Sequence, residues 1–381
     1  MKGFVVSIVL LVGLLCPAFS EGPVVVGASL SFSGDYREPS EMILNSYRLW
    51  EQQINEGGGL LGRDVELVIL DDKSRVGPAA ENYRNLFSKY NVDLVLSPYS
   101  TPLTVAASEI SEKNGYVMIA CGAAGEEIWD RGYRYIFGMY SMARRYFIGF
   151  LDLLGREGLD DISILHETNA FNIDAAEGAV QWAEKFGVNV IEKTGFDPKT
   201  ADLGRLLRKT QEKGPDGLIV CSYPPAGYTL LNIMTAMDYK PEALAMTIIP
   251  IHPEFAVQAG AISENIFGPS QWEPIERMPF PGTEQFIEDF RSFTGQMPSY
   301  HATSAYAACK ILEQAVTATK ALNHDRIRDY IITLDTVTVL GRYKVDYTGR
   351  QIGHNSILIQ WQDGKKEIVY PSHMSTAEPR F

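Results

Sequence analysis

The sequence predicts an α/β protein built as two doubly wound parallel-sheet lobes. Three observations carry that expectation. Apolar strand-like runs alternate with helix-like segments through most of the chain. The runs are continuously apolar, as in parallel strands covered on both faces, and do not alternate as half-exposed strands do. The alternation also comes in two series that divide near residue 141, and a chain of 381 residues has room for two lobes.

In the first series, Val24 to Leu30 reads as a buried strand running into the loop Ser31-Phe32-Ser33-Gly34-Asp35-Tyr36. A helix follows over about 40–55, with Met42, Leu44, Leu49 and Ile54 among its apolar positions. The letters of Gly57-Gly58-Gly59-Leu60-Leu61-Gly62 match a dinucleotide fingerprint. They follow a helix and precede a strand, the reverse of the required order, so they read as a helix stop and a turn. A strand over 65–70, a helix over 78–90, a strand over 92–96, a helix to about Lys113, a strand over 116–120 and an extended segment from Tyr133 to Met139 complete the series.

The second series has helices over about 144–157, 173–186 and 202–213, and one from Pro224 to about Asp238. Between them lie strands over 162–165, 188–192, 217–221 and 245–249. The tail carries helices over 284–293, 301–320 and 326–334, then short strands over 337–343, 356–360 and 367–370. These are too few for a third domain, so they are expected to complete the two lobes. The expected division is 1–20 as a signal peptide, 21–141 with 272–345 as one lobe, and 142–271 with 346–381 as the other.

The stretch Asp93 to Thr104 is the centre of the functional reading. Ser100 and Thr101 are both candidate N-caps, and Pro102 falls in the first helical turn. A helix N-terminus offers free N–H groups to an anion, so this loop can hold a carboxylate, or the two hydroxyls can simply cap their own helix. In open α/β sheets ligands bind beyond the carboxyl ends of strands. Those ends carry Tyr36, Tyr99 to Thr101 and Gly122 to Ala124 in the first lobe. In the second they carry Asn169 to Phe171, Ser222-Tyr223 and Pro250 to His252. Hydroxyls, exposed backbone and aromatic rings with little charge suit a small, partly apolar molecule with one polar head.

The net charge of −13 argues against nucleic acid or an anionic membrane surface as partner. Lys2, an apolar run over 4–15 and the Ala18-Phe19-Ser20 ending form a secretory signal pattern with cleavage after Ser20. The run is short for a membrane span. Lipid attachment at Cys16 is the alternative, though Leu15 stands where a small residue is wanted. Cys121, Cys221 and Cys309 lie far apart in apolar contexts and read as buried free thiols. The six histidines show no metal-ligand spacing. Cys121 has no assignable histidine partner as a nucleophile, and Asp71-Asp72 reads as a solvated or loop-supporting pair. Neither an enzyme, a cofactor nor a metal is expected.

Taken together, several stretches resemble the periplasmic solute-binding proteins of branched-chain amino acid type ABC transporters, the leucine/isoleucine/valine-binding family with the type I periplasmic binding fold. They are Gly27 to Gly34, Ile54 to Gly62, Asp71-Asp72, Ser97 to Ser108, Met118 to Ala124, Arg131-Gly132-Tyr133, and Val339 to Gly341 leading to Asp346 to Gly349. The resemblance spans about 24–365. It implies a three-crossover hinge, lobe closure on the ligand, and first-lobe hydroxyls and N–H groups holding a carboxylate. Carried over by position, Ser100, Thr101, Ala123 and Ala124 belong to that carboxylate site. Phe171 and Tyr223 match the family's second-lobe aromatics, and Tyr36, Tyr99 and His252 are added as candidates from their strand ends. The Ala124 position often bears a threonine in the family. Amino acid binders of the family also place an acid after the strand at 245–249, where this chain reads Pro250-Ile251-His252-Pro253-Glu254. A buried ammonium without a counter-charge costs several kcal/mol, so a ligand without an α-amino group is as compatible as an amino acid, unless Glu254, Glu167 or Asp174 supplies the charge.

The resemblance implies a periplasmic, monomeric, non-enzymatic receptor that binds a small carboxylate-bearing molecule and delivers it to ABC permease membrane subunits. The alternative is a ligand sensor of the same fold coupled to signalling.

Overall fold

The computed structural model describes residues 22–252, 254–275 and 280–381. The expected signal peptide and Cys16 lie outside the described residues. The first series runs β1 (Val24–Leu30), α1 (Arg37–Glu56), β2 (Val65–Asp71), α2 (Val76–Ser88), β3 (Leu94–Val95), α3 (Thr101–Asn114), β4 (Met118–Ala120), α4 (Glu127–Asp130) and β5 (Ile136–Gly138). β1 pairs in parallel with β2 on one side and β3 on the other. β4 and β5 form a second parallel pair, joined to the first piece by a parallel bridge between Tyr99 and Gly122. The glycine run after α1 is a turn, as its order in the chain requires. Gly58, Gly59 and Gly62 take positive φ, and a Cβ on Gly59 would lie 2.1 Å from the Arg63 carbonyl oxygen. Asp72 is a loop support: it accepts the hydroxyls of Ser29 and Ser31 and the N–H of Ser74.

The second series runs α5 (Ile148–Glu157), β6 (Asp161–Glu167), α6 (Ala170–Phe186), β7 (Asn189–Phe196), α7 (Leu203–Lys213), β8 (Gly217–Cys221), α8 (Pro224–Ala236), β9 (Ala243–Met246), α9 (Phe255–Ala259) and β10 (Ile266–Ser270). The tail adds α10 (Thr283–Thr294), α11 (Tyr300–Thr319), α12 (His324–Ile331), β11 (Asp335–Thr338), β12 (Gly341–Lys344), β13 (Ile357–Gln362) and β14 (Lys365–Tyr370). The second lobe is one seven-stranded sheet in the order β14-β13-β10-β9-β8-β6-β7. Only β13 runs against the others, pairing antiparallel with β10 and with β14 in the hairpin that closes one edge. Asp363 and Gly364 both take positive φ at its two-residue turn. α10 to α12 return to the first lobe. Ser46 of α1 donates to the Ala302 carbonyl at 2.8 Å, and the Trp50 indole N–H donates to Glu313 at 3.0 Å.

The structure differs from the sequence reading at several elements, among them the short helices α4 and α9 that it did not anticipate. The strand expected over 245–249 ends at Met246. Thr247 turns aside to bond Ser222 through its hydroxyl in both directions, at 2.9 Å each way, and Ile248 takes φ +56° and ψ −62°. The Ile249 N–H then reaches the Thr247 carbonyl at 2.6 Å, closing a tight three-residue turn. The single strand expected over 337–343 is instead the hairpin β11–β12, reversed just before Gly341 at φ +134°. β10 carries no readable strand signal, because Gly268 and Pro269 interrupt its apolar run.

The crossings between lobes lie side by side. The Ser141 N–H donates to Gln271 at 2.9 Å, and Arg145 donates to Asn355 at 2.8 Å. Residues 346–352 still lie on the first lobe, where Gly138 N–H donates to the Gly349 carbonyl at 2.8 Å.

Candidate ligand-binding site

The carboxyl ends of the strands of both lobes face one cleft. On the first-lobe side, Ser100 sits between β3 and α3 at φ +78° and ψ +149°. That backbone region is nearly reserved for glycine, and residues held there cluster at binding and switch sites. The conformation is fixed by the Ser100 N–H donating to the Gly122 carbonyl at 3.0 Å. The Ser100 hydroxyl caps α3 only through a long 3.5 Å contact from Leu103 N–H. Thr101 ties the two first-lobe loops together, its hydroxyl oxygen accepting the N–H groups of Gly125 at 3.1 Å and Ala124 at 3.4 Å. A Cβ on Gly125 would meet the Thr101 methyl at 2.5 Å, which explains the glycine there.

Aromatic rings from both lobes meet above these loops. Tyr36 packs on Tyr99 at 5.7 Å between centroids and on second-lobe Tyr223 at 4.9 Å. Tyr223 packs on Phe171 at 5.8 Å, Phe171 on Tyr146 at 5.5 Å, Tyr99 on His301 at 5.0 Å and Tyr140 on Tyr300 at 5.3 Å. All of these rings but Tyr36 line a small cavity of about 10 Å³, which Thr101, Gly122, Ala124 and Ile248 complete. None of its lining residues carries a carboxylate or a fixed positive charge. Burial holds His301 neutral by pulling its pKa down to about 3, and its Nδ1 lies 3.1 Å from the Tyr140 hydroxyl. Burial also raises the phenols. Tyr36 is pushed up to about 12, partly offset by the nearby Ser100 and Tyr223 hydroxyls. The cavity is therefore a neutral aromatic cage that offers O–H groups as its polar contacts.

Six of the residues singled out from sequence line this cavity: Tyr99, Thr101, Gly122, Ala124, Phe171 and Tyr223. Tyr36 borders it by packing on Tyr99 and Tyr223, and Ser100 by lying next to Thr101. Ala123 points its methyl into the core cluster of Met118, Ile128 and Trp129. His252 lies further out, with its Nε2 2.7 Å from Glu38 of the other lobe. Sequence reasoning did not find Tyr140, Tyr146, Ile248, Tyr300 and His301. Tyr140 and Tyr146 flank the expected lobe boundary at 141, and a chain crossing between lobes must pass the cleft, so that boundary was the usable signal.

The three acids considered as ammonium partners are placed elsewhere. Glu167 accepts Tyr223 N–H at 2.8 Å and Asn169 Nδ2 at 2.9 Å, and burial raises its pKa to about 7. Asp174 accepts Glu126 N–H across the lobes at 2.8 Å and pairs with Arg144 at 3.2 Å. Glu254 lies at the outer mouth.

The family model described as periplasmic binding protein matches residues 23–366. The chain belongs to this family. Relatives include the Leu/Ile/Val-binding protein homolog 8 of Brucella abortus (strain 2308), 26% identical over 93% of this chain and 92% of that one. The Leu/Ile/Val-binding protein homolog 7 of Brucella suis biovar 1 is 23% identical over 98% of each. Among solved structures, the branched-chain amino acid transporter substrate binding protein LivJ from Streptococcus pneumoniae, in complex with isoleucine, superposes with a TM-score of 0.82 at 20% identity. That match covers 92% of this chain and all of that one. A solute binding protein of R. palustris in complex with benzoate superposes with a TM-score of 0.80 at 17% identity, over 91% and 96% of the two chains.

The turn at Ile248 presents a branched aliphatic side chain to the cage. Cys121 is not part of the cavity lining. It packs against the Tyr47 hydroxyl at 3.1 Å and the Ser97 hydroxyl at 3.3 Å, and burial raises its pKa. Among the described residues no group of His, Cys, Asp and Glu is placed to hold a metal ion, and no helix is long and apolar enough to cross a membrane.

Proposed function

We propose that this protein is the extracytoplasmic solute-binding component of an ABC uptake transporter, secreted through a cleaved signal peptide. It takes a small carboxylate-bearing molecule into the interlobe cleft and hands it to membrane permease subunits. The observation that carries the reading is the ring cage drawn from both lobes, with Tyr36 of one resting 4.9 Å from Tyr223 of the other. A ligand bound there touches both lobes at once and so favours their closed arrangement. Its carboxylate meets the Ser100–Thr101 loop at the start of α3, where N–H and O–H donors converge.

The carboxylic acid is best read as aromatic or aliphatic, without an α-ammonium group. A neutral cage lined by Ile248 gives an ammonium no counter-charge, and burying it unpaired costs several kcal/mol. A fold shared with both an isoleucine-bound and a benzoate-bound protein is compatible with either class, so the lining residues favour the choice. A thermal-shift screen of the mature protein across α-amino acids, aromatic acids, aliphatic acids and amides tests it. A ligand at a hundredfold excess over its Kd stabilises the fold by about 2.7 kcal/mol. Hits confined to α-amino acids would refute the ligand class, and no hit among carboxylates would refute the function.

A further inference from the structure

Ile248 and His301 also line a second small cavity of about 20 Å³ on their far side, between the lobes, beside Tyr228, Ser299 and the His252–Glu38 pair. It opens into a broad mouth at Glu38, Tyr228 and His252. Two polar atoms in this neck are unsatisfied. The Ser299 hydroxyl and the Tyr228 hydroxyl are both buried with no hydrogen-bond partner among the described residues. Ser299 is only 5% exposed and is the N-cap residue of α11, yet its side chain does not cap the helix. A buried hydroxyl without a partner carries a desolvation penalty of about 1–3 kcal/mol, so two in one channel call for an explanation. The mouth beyond is acidic, with Asp35, Glu38, Glu41 and Glu254 against Arg37 and His252.

We propose that the neck is a second subsite of the same binding site, which takes a protonated amine or guanidinium carried on a tail of the ligand. This rests on the solute-binding reading above and extends it. The carboxylate is held at the Ser100–Thr101 loop, the apolar body lies in the cage, and the tail passes Ile248 to place its N–H groups against Tyr228, Ser299 and Glu38. The cation is thereby separated from the carboxylate by the length of the cage, which the neutral lining at Ile248 requires. Glu38 and Glu254 line the mouth together with Tyr228.

The test compares matched acids that differ only in the tail: p-toluate with its para-aminomethyl counterpart, and hexanoate and octanoate with their omega-amino counterparts. Each is titrated calorimetrically into the wild-type protein and a Ser299→Ala/Tyr228→Phe variant, whose ligand-free melting temperature is checked first. Single Ser299→Ala and Tyr228→Phe proteins replace the double variant if its melting temperature falls. We expect at least one amine to bind about tenfold more tightly than its partner, and the variant to bring the ratio close to one. Equal binding within every pair would overturn the neck subsite and leave carboxylate binding standing. An amine preference that persists in the variants would overturn the assignment to these hydroxyls. No binding by any member of any pair would overturn the inference as well, and the broader screen would then decide the parent reading separately.

Discussion

Glu167 offers a test of the cleft's electrostatics that needs no ligand. Its carboxyl is 5% exposed, and burial lifts its pKa from the ordinary 4.5 to about 7 against the opposing bonds from Tyr223 N–H and Asn169. Below pH 4.5 the group is protonated in both folded and unfolded chains. Between 4.5 and about 7 the unfolded chain has released the proton and the folded one still holds it, so the folded state binds more protons and stability falls as pH rises. Across that window the gap corresponds to at most roughly 3 kcal/mol. Glu167→Gln removes the titration. It keeps an acceptor for Tyr223 N–H and loses the bond from Asn169, a penalty of about 1 kcal/mol that does not vary with pH. Urea unfolding of both proteins from pH 4 to 8 measures the difference directly. The wild type should lose its advantage as pH passes through the window, and the variant should be the more stable of the two above pH 7. Parallel stability curves would refute the claim that burial keeps this carboxyl neutral.

Other substitutions probe the rest of the site. Ser100→Gly should match or exceed the stability of Ser100→Ala by about 1 kcal/mol, because glycine accepts φ +78° without strain, while both should weaken ligand binding; circular-dichroism melts and calorimetry separate the two effects. Thr101→Val should lower stability by about 1–3 kcal/mol, since two buried N–H groups lose their acceptor; an unchanged melting temperature would show that the two loops hold each other without it. Phe171→Ala, which removes a ring packed on both Tyr146 and Tyr223, should cost about 3 kcal/mol or more of ligand affinity and stability combined; equal ligand Kd values for variant and wild type would place the ring outside the site. Cys121, Cys221 and Cys309 should react with a thiol reagent only on unfolding, because all three are buried with raised pKa values; rapid labelling of the native protein would contradict their burial.

The fold was legible where burial on both faces leaves its mark in the sequence. β1 and β8 are largely apolar runs, and Gly217–Cys221 was bounded to the residue. β10 was not legible, because Gly268 and Pro269 dilute its signal and its place in the sheet is set by β9 and the distant β13. At the site, Tyr36, Tyr99, Phe171 and Tyr223 were visible because each follows a strand that could be recognised. Tyr300 and His301 begin a helix far along the chain, and only the return of α11 to the first lobe brings them to the cleft. Ile248 could not have been read at all. A β-branched residue at positive φ is disfavoured by local sterics, and only the Thr247–Ser222 bonds and the tight turn behind it hold it there.

Ser100 and Ile248 together say how the site works as a clamp. Both face the cleft, both hold strained backbone, and each is fixed by bonds within its own lobe: Ser100 N–H to Gly122, and Ile249 N–H to Thr247. Strain of this kind persists only where the surroundings over-determine it. Neither conformation depends on a contact across the cleft, so neither has to form when the lobes close. Each half of the site is preorganised before the ligand arrives, and the ordering cost of binding falls on the rings that meet between the lobes and on the His252–Glu38 contact. On the proposed reading, a ligand body packed among Tyr36, Tyr99, Phe171 and Tyr223 would supply the free energy that shifts the open–closed balance.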